Sequence, residues 1–518
     1  MVRHIKRKRS LYLPVLLLVI MVGLLTFHHA SKEKNLTPEG LSRNTEVVND
    51  AKGKVLSVSK LDSGYDVHYN EDDQLTNVHV NETLEVTHKE TLPVELDLTA
   101  TYWAKQNQAI YLNEEKLIYY DGKKNQTLDT NINGLTVGLD TVYYWKDNQI
   151  FSMNPSTQKS TLVAKTEQAV MKLFTSEDTK GLFIATVKKQ DLSSDVYVYQ
   201  QSDQDSQLLQ KFNIPSLSGE RIHTVDASQT QQGTHLIYTT KQTHAGTVTV
   251  RGYYNLFESP KEEPKFQKIK IYDSFTNDQM RVIDNLDLVL TEDGPEIILS
   301  ARGMITAKVR SWNIYRAKQQ QSEKWIANHI STSTSISRNH VYVSEHELFW
   351  LDSRGKKAKI MAVSNHPELL QKAESFQTAD FVNGFYTGIS SLPYGFIMLM
   401  VAMMWVAPSA IFLFCVSFWN EDAMVQKRSW VRYSTIGLFA ICQYYLMQQF
   451  FTPMFEAFSP DYLSFQWHSI ILPLGIILMS LLFTQFTRQK QWSIYQEFGI
   501  FTLFNTLFIV FLISPYVV

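Results

Sequence analysis

Apolar residues are segregated along this chain. A run from Leu11 to Phe27 precedes a long polar stretch, and four further apolar runs close the sequence: Tyr394 to Phe418, Tyr433 to Phe451, Trp467 to Phe486 and Phe498 to Tyr516. Each of the four is long enough to cross hydrocarbon as a helix that satisfies its own backbone. The first run reaches about 25 Å at about 1.5 Å per residue, short but able to span. It follows Arg3, Lys6, Arg7, Lys8 and Arg9, which fits either a signal peptide or an uncleaved anchor. A cleavage site at Ala30 would place His28 where a small residue is wanted, and no lipobox cysteine exists. The segment is read as an anchor.

The short loops agree on one orientation. Loop 419–432 carries Lys427, Arg428 and Arg432, loop 487–497 carries Arg488 and Lys490, and loop 452–466 has Glu456 and Asp461 but no Lys or Arg. Positive charge favours the cytoplasmic side, so the N-terminus and both basic loops fall inside. Residues 31–393 and the C-terminal Val518 then fall outside. Trp419, Trp430, Trp467 and Trp492 stand near span ends, as an interfacial belt requires.

Between 31 and 365 a 3.6-residue period is almost absent, and short β-rich runs alternate with turn residues. A strand, polar turn and second strand recur. The unit runs Lys116-Leu117-Ile118-Tyr119-Tyr120-Asp121-Gly122-Lys123, where Asp121-Gly122 suits a type I′ hairpin. It recurs at Gln149 to Pro155, Asp195 to Tyr199 and Glu347 to Lys356, with partner strands at Ala109 to Leu112, Thr141 to Trp145 and His340 to Val343. The irregular spacing excludes a consensus solenoid and suits six to eight degenerate propeller blades with insertions. The late Phe349-Trp350-Leu351-Asp352 strand with Gly355-Lys356 resembles the outer hairpin of bacterial extracytoplasmic β-propeller membrane proteins of the quinoprotein-like and lipoprotein-assembly type. That resemblance is architectural, and a pair of β-sandwiches stays open as the alternative.

The plan is therefore a basic N-terminus (1–10), an anchor (11–27), an all-β extracytoplasmic domain (31–365), a tether (366–393) and a membrane region of four helices (394–518). Within the tether, Pro367 suits a first helical turn and Glu368 to Phe376 a short helix, with Asn383-Gly384 and Gly388 leading on. Over 518 residues, 49 basic and 51 acidic side chains give a net charge of −2. Residues 31–393 hold 39 basic and 46 acidic residues, a net −7, which disfavours nucleic acid as a partner. The two cysteines, Cys415 and Cys442, lie in apolar runs, so the polar domain holds neither a disulfide framework nor a cysteine nucleophile.

No hydrolase, metalloprotease, Walker-type or dinucleotide motif is present. Twelve histidines from His28 to His366 lack the i, i+2 or i, i+4 spacing of a metal site. His346-Glu347 lacks the second histidine of a zinc motif and reads as a solvated strand end. Glu71-Asp72-Asp73 lacks the glycine and closing glutamate of a calcium loop and reads as a polar hairpin tip. The predicted spans contain no Asp, Glu, Lys or Arg, against ion-coupled carriers. Gln443, Gln448, Gln449 and Asn505 read as hydrogen-bonding glue between helices, and His468 as a wetted interfacial residue. Met398, Met400, Met403 and Met404 offer soft ligands for copper but read as packing. Pro408 and Pro473 are expected to kink their spans.

No catalytic, cofactor or metal residue is singled out. The expectation is a multi-pass protein of a bacterial, Gram-positive plasma membrane, with a signal-anchor. It presents a β-propeller-like interaction domain as a non-enzymatic scaffold, sensor or accessory subunit of a cell-envelope complex. Its partners would be the lipid bilayer and an envelope or membrane protein. A transport component using the C-terminal helices, and an envelope glycan or peptide enzyme, are the alternatives.

Overall fold

The computed structural model describes residues 2–35, 40–176, 179, 181–190, 193–202, 205–215, 220–244, 246–258, 265–306, 309–321, 323–355 and 357–517. Lys356 of the late hairpin and Val518 lie outside them. The chain divides into two units: a helical one of Met1–Leu36, Thr306–Lys308 and Ser375–Val518, and a mostly β one of Thr37–Ile305 and Val309–Glu374.

The β unit begins with β1 (Thr45–Ala51). Next come β2 to β5 (Leu56–Leu61, Gly64–Glu71, Gln74–Val80, Val86–Glu95) and β6 to β9 (Tyr102–Lys105, Gln108–Asn113, Lys116–Tyr120, Asn125–Thr130). β10 to β13 (Gly134–Val137, Val142–Lys146, Gln149–Asn154, Lys159–Lys165) and β14 to β17 (Val170–Thr175, Leu182–Gln190, Ser193–Ser202, Asp205–Pro215) follow. Each of these four groups is a four-stranded sheet in chain order. β18 to β21 (Glu220–Thr230, Gly233–His244, Thr247–Phe257, Gln267–Asp273) and β22 to β25 (Ile283–Thr291, Gly294–Thr306, Val309–Gln319, Lys324–His329) are two more such groups. A parallel pairing of their last strands, Lys270 to Lys324 through Asp273 to Ala327, merges them into one eight-stranded sheet. β26 to β28 (Ile336–Ser344, Glu347–Arg354, Lys357–Val363) complete their sheet with β1, which pairs antiparallel with β28.

Seven four-stranded groups thus recur, and two observations place them in cyclic order. The first strands touch in succession from β2 through β6, β10, β14, β18, β22 and β26, and β26 touches β2 again. Seven apolar cores likewise each lie between two successive groups, the last sharing Tyr65, Val67, Phe349 and Ile360 between the first sheet and the final one. A sheet covered on both faces reads as continuous rather than alternating burial. β3 shows this, with its first seven residues all buried. Fully buried Trp325 and Trp350 anchor two of the cores, each side chain worth about 1.5–3 kcal/mol of burial.

Local expectations fare unevenly. Asp72 and Asp73 both adopt positive φ and form the tight β3–β4 turn, so Glu71-Asp72-Asp73 is a hairpin tip. Asp121-Gly122 is not a two-residue turn. Tyr120 pairs with Asn125, and residues 121–124 form a four-residue loop in which the Asp121 carboxylate accepts from the Lys123 and Lys124 amides. The region 366–393 holds α2 (Pro367–Glu374) and the whole of a second, unforeseen helix, Thr378–Ser391.

The helical unit contains α1 (Val2–Asn35), α3 (Thr378–Ser391), α4 (Pro393–Trp419), the short α5 (Glu421–Val425), α6 (Ser429–Met447), the short α7 (Pro453–Phe458), α8 (His468–Thr487) and α9 (Ile494–Leu512). Among the described residues, four stretches are long and apolar enough to cross a membrane: Pro14–Asn35, Ile397–Trp419, His468–Thr487 and Ile494–Tyr516. The expected span at 433–451 is not among them, because α6 carries Arg432, Thr435 and Gln443 in its sequence. α1 is no isolated anchor. Its Leu17, Met21 and Leu25 enter the same core as Trp405, Phe439, Phe501 and Phe508. Gly384 and Gly388, expected in a loop, form a small-xxx-small stripe on α3 that lets α1 approach closely. A Cβ on Gly384 would lie 2.7 Å from the Ala30 nitrogen and 2.8 Å from the Thr26 oxygen.

Candidate functional site

Three neighbouring first strands of the β unit, β18, β22 and β26, carry a polar cluster. An extended strand points alternate side chains to opposite faces, so β22 presents Asp284 and Asp287 at successive bends to the strands flanking it. His223 Nε2 on β18 lies 2.6 Å from Asp284 Oδ1, and His340 Nε2 on β26 lies 2.7 Å from Asp287 Oδ2. The second pair is close but misaligned for a hydrogen bond, since both His340 nitrogens lack a partner of good geometry. Burial pushes the Asp284 carboxyl up, yet the His223 hydrogen bond and the His223 and Arg338 charges outweigh it and hold the group below its ordinary value. Arg338 lies 3.8 Å over the Trp312 ring. Asn285 donates to Asn339 at 2.7 Å, and Asn339 donates to the Lys54 carbonyl at 2.6 Å. The cluster therefore binds three groups of strands together along the inside of the ring. An ionised carboxylate paired to histidine suits polar recognition better than proton donation.

Across the ring closure, Glu347 is not the solvated strand end expected of His346-Glu347. His346 is exposed, but Glu347 opens β27 buried, with Lys60, Tyr65 and Ser344 all donating to its carboxylate. The pairing was invisible in sequence because Lys60 and Tyr65 belong to the first sheet.

Two polar sites of the helical unit stand out among the described residues. Asn505 Nδ2 donates to Gln443 Oε1 at 3.0 Å, both side chains fully buried, so α6 and α9 are joined as expected of them. Gln448 donates to the Ser469 carbonyl at 2.9 Å, also joining helices, whereas Gln449 is exposed and joins nothing across the bundle. The second site was missed, since Glu497 stands one residue before the run read as a span. α9 begins earlier, at Ile494, and buries Glu497 in its first turn between Arg488 Nε at 2.5 Å and Arg432 Nε at 3.4 Å. A cavity of about 20 Å³, room for roughly one water, adjoins it beside Thr435, Thr484 and Phe501. Two guanidiniums on one carboxylate clasp the ends of α6, α8 and α9.

His468 is a correction. It is buried, not wetted: its ring stacks on Phe455 at 5.8 Å, and Nδ1 lies 2.9 Å from the Phe465 carbonyl. Met398 packs in the helical core, while Met400, Met403 and Met404 point outward, well exposed, and do not converge with Cys415 or Cys442. Pro408 and Pro473 lie inside α4 and α8. Among the described residues, no group of three or more His, Cys, Asp or Glu side chains converges to hold a metal ion.

No family model matches the chain, and no curated protein matches it. Among solved structures, it is similar to a chain of the S. cerevisiae assembly of a Dbp5 variant bound to Nup159, a Gle1 variant, IP6 and ADP. That match has a TM-score of 0.40 and 10% identity over 63% of this chain and 96% of that one. The tricorn protease scores 0.37 at 10% identity over 66% of this chain and 35% of that chain. The Myceliophteria thermophila Cps50 (Swd1) β-propeller domain scores 0.37 at 9% identity over 62% and 99%. Likeness this distant adds nothing to the strand pairing.

Proposed function

We propose that this chain is a multi-pass membrane protein that presents a closed, seven-bladed β-propeller as a binding platform. It serves as a scaffold, sensor or accessory subunit of a cell-envelope complex and performs no catalysis of its own. One observation carries the reading: seven four-stranded groups touch in a cycle that the N-terminal β1 closes, in a chain that also has four helices apolar enough to cross a membrane. A ring closed by its first strand is rigid and shields its sheet edges from unwanted pairing, which suits it to presentation.

We read α6 as a fifth crossing. Its 19 residues reach about 28 Å, near the thickness of the hydrocarbon. Its polar groups turn inward: Thr435 donates to the Val431 carbonyl and Gln443 meets Asn505. Tyr433, Ile441 and Tyr445 face outward. Five crossings with the basic loops inside would support a propeller held outside a bacterial plasma membrane, which is the orientation we propose. The packing of Leu17, Met21 and Leu25 in the helical core supports an uncleaved α1. The Gln443–Asn505 pair, fully buried and joined within the helical core, favours packing over a transport path.

The test is crosslinking in native membranes followed by identification of what joins the β unit, with protease shaving of intact cells. The expected result is a reproducible envelope or membrane protein partner and removal of the 31–393 region from outside. A β unit protected in intact cells, or one that captures nothing reproducibly, overturns the reading.

A further inference from the structure

In an antiparallel meander the start of the first strand, the end of the second and the start of the third share one edge. At that edge of two adjoining four-stranded groups lie two cavities. One, of about 440 Å³, is lined by Arg221 at the start of β18 and Lys241 near the end of β19. The other, of about 520 Å³, is lined by Arg281 just before β22, Arg302 near the end of β23 and Arg310 at the start of β24. Among the described residues none of these five cations has a carboxylate within ion-pair distance. Of the acids lining the two cavities, Asp278 is exposed. Asp273 Oδ1 is engaged by the Phe275 and Thr276 amides, while its Oδ2 lies 3.5 Å from His329 Nε2. Elsewhere on the unit lysines pair with acids repeatedly, as at Lys60–Glu347, Lys146–Asp129 and Lys318–Glu296.

We propose that these two cavities form a binding site for phosphate-bearing ligands. Like charges gathered without ion-pair partners repel one another, and an oxyanion relieves that repulsion while accepting paired guanidinium hydrogen bonds. Phosphate fits better than a single carboxylate, because three guanidiniums in one cavity offer more donors and more charge than a monoanion can satisfy. Gly303 lines the second cavity, and a Cβ there would fall 2.0 Å from the Tyr315 hydroxyl oxygen and 3.0 Å from Asp273 Oδ2. The Tyr315 hydroxyl near Gly303 is buried without a hydrogen-bond partner, whereas Asp273 Oδ2, an acceptor, opposes an anion and leaves the attraction to the three arginines. The net −7 of residues 31–393 conceals this patch from any charge average.

The phosphate belongs either to a soluble ion or to a lipid headgroup, and two arms separate them. Purified full-length protein in neutral detergent is titrated at constant ionic strength with inorganic phosphate, then with short-chain phosphatidylglycerol as competitor. Saturable phosphate binding is expected, weakened about tenfold in the double variant Arg302→Gln/Arg310→Gln and in Arg281→Gln/Arg302→Gln. All three arginines are exposed, so the fold should survive, and an unchanged melting temperature verifies it. Displacement by the lipid assigns the site to a headgroup; saturable phosphate binding without displacement assigns it to the soluble ion. Binding that never saturates, or that the arginine variants leave unaltered, overturns the proposal.

Discussion

Lys60 Nζ lies 2.7 Å from Glu347 Oε2, joining residues 287 positions apart and so tying the first sheet to the last. Burial pushes the Glu347 carboxyl up, but the Lys60, Tyr65 and Ser344 hydrogen bonds outweigh it and hold it below its ordinary value of 4.5. A carboxyl lowered in the folded state stabilises above its unfolded value and loses that stabilisation as pH falls through the folded one. The β unit should therefore weaken on acidification below about pH 4.5, and Glu347→Gln should flatten that dependence. Glu347→Ala should cost about 2 kcal/mol at neutral pH by leaving Tyr65 and Lys60 without their acceptor. Denaturant unfolding followed by the β-sheet circular dichroism signal reads both effects; an identical acid limb in Glu347→Gln and the parent would refute the assignment.

The closing strand offers a harsher perturbation. Val47 on β1 is buried in the core shared by the first and last sheets. Val47→Asp places an unpaired carboxylate there, at a cost of about 3 kcal/mol or more. The opened ring should be nicked by protease within the β unit at temperatures where the parent resists. Equal protease resistance would mean that β1 does not close it.

Close approach of α1 to α3 can be tested by crosslinking. Phe27 and Phe376 have ring centroids 5.9 Å apart. With Cys415 and Cys442 replaced by serine, the pair Phe27→Cys/Phe376→Cys should be joined by a short bifunctional thiol-reactive crosslinker. Adding Gly384→Leu should suppress it, because the new side chain meets the Ala30 and Thr26 backbone. Crosslinking that is equal in both would show that the stripe does not seat α1.

Gln443 and Asn505 allow a test by compensation. Removing one partner strands the other in the interior, whereas replacing both with apolar groups is close to neutral. Asn505→Leu alone should lower stability by about 1–2 kcal/mol, and Gln443→Leu/Asn505→Leu should recover most of it. Thermal stability in detergent is the measurement, and additive losses in the double variant would contradict a private pair.

Sequence periodicity revealed β8, β12 and β16 through their aromatic and β-branched residues, but it passed over β3 and β19, whose runs of seven buried residues carry polar side chains such as Asp66, His68 and Thr239. It bracketed the count of groups at six to eight but did not fix it, since strand lengths grow from four residues in β6 to thirteen in β23. β1 was illegible because its partner, β28, lies some three hundred residues on. Gly384 and Gly388 are loop residues by local rule and helix-contact residues by tertiary packing; only the position of α1 decides between them. Glu497 escaped because an apolar count begins where the charges stop, while the helix begins at its Ser493 cap. α6 looked apolar enough to span, yet its polar groups are spent on its neighbours. Polar side chains with distant partners carry no local signature at all.

The pairing of Thr45 with Ala362 has a mechanical corollary. The chain joins the β unit and leaves it at the same end of one antiparallel ladder. A pull between its two attachments therefore loads the hydrogen bonds one after another, as a zipper is opened, rather than all at once in shear. The ladder cannot form until residue 363 has been synthesised, so the ring stays unlatched through nearly the whole of its own translation.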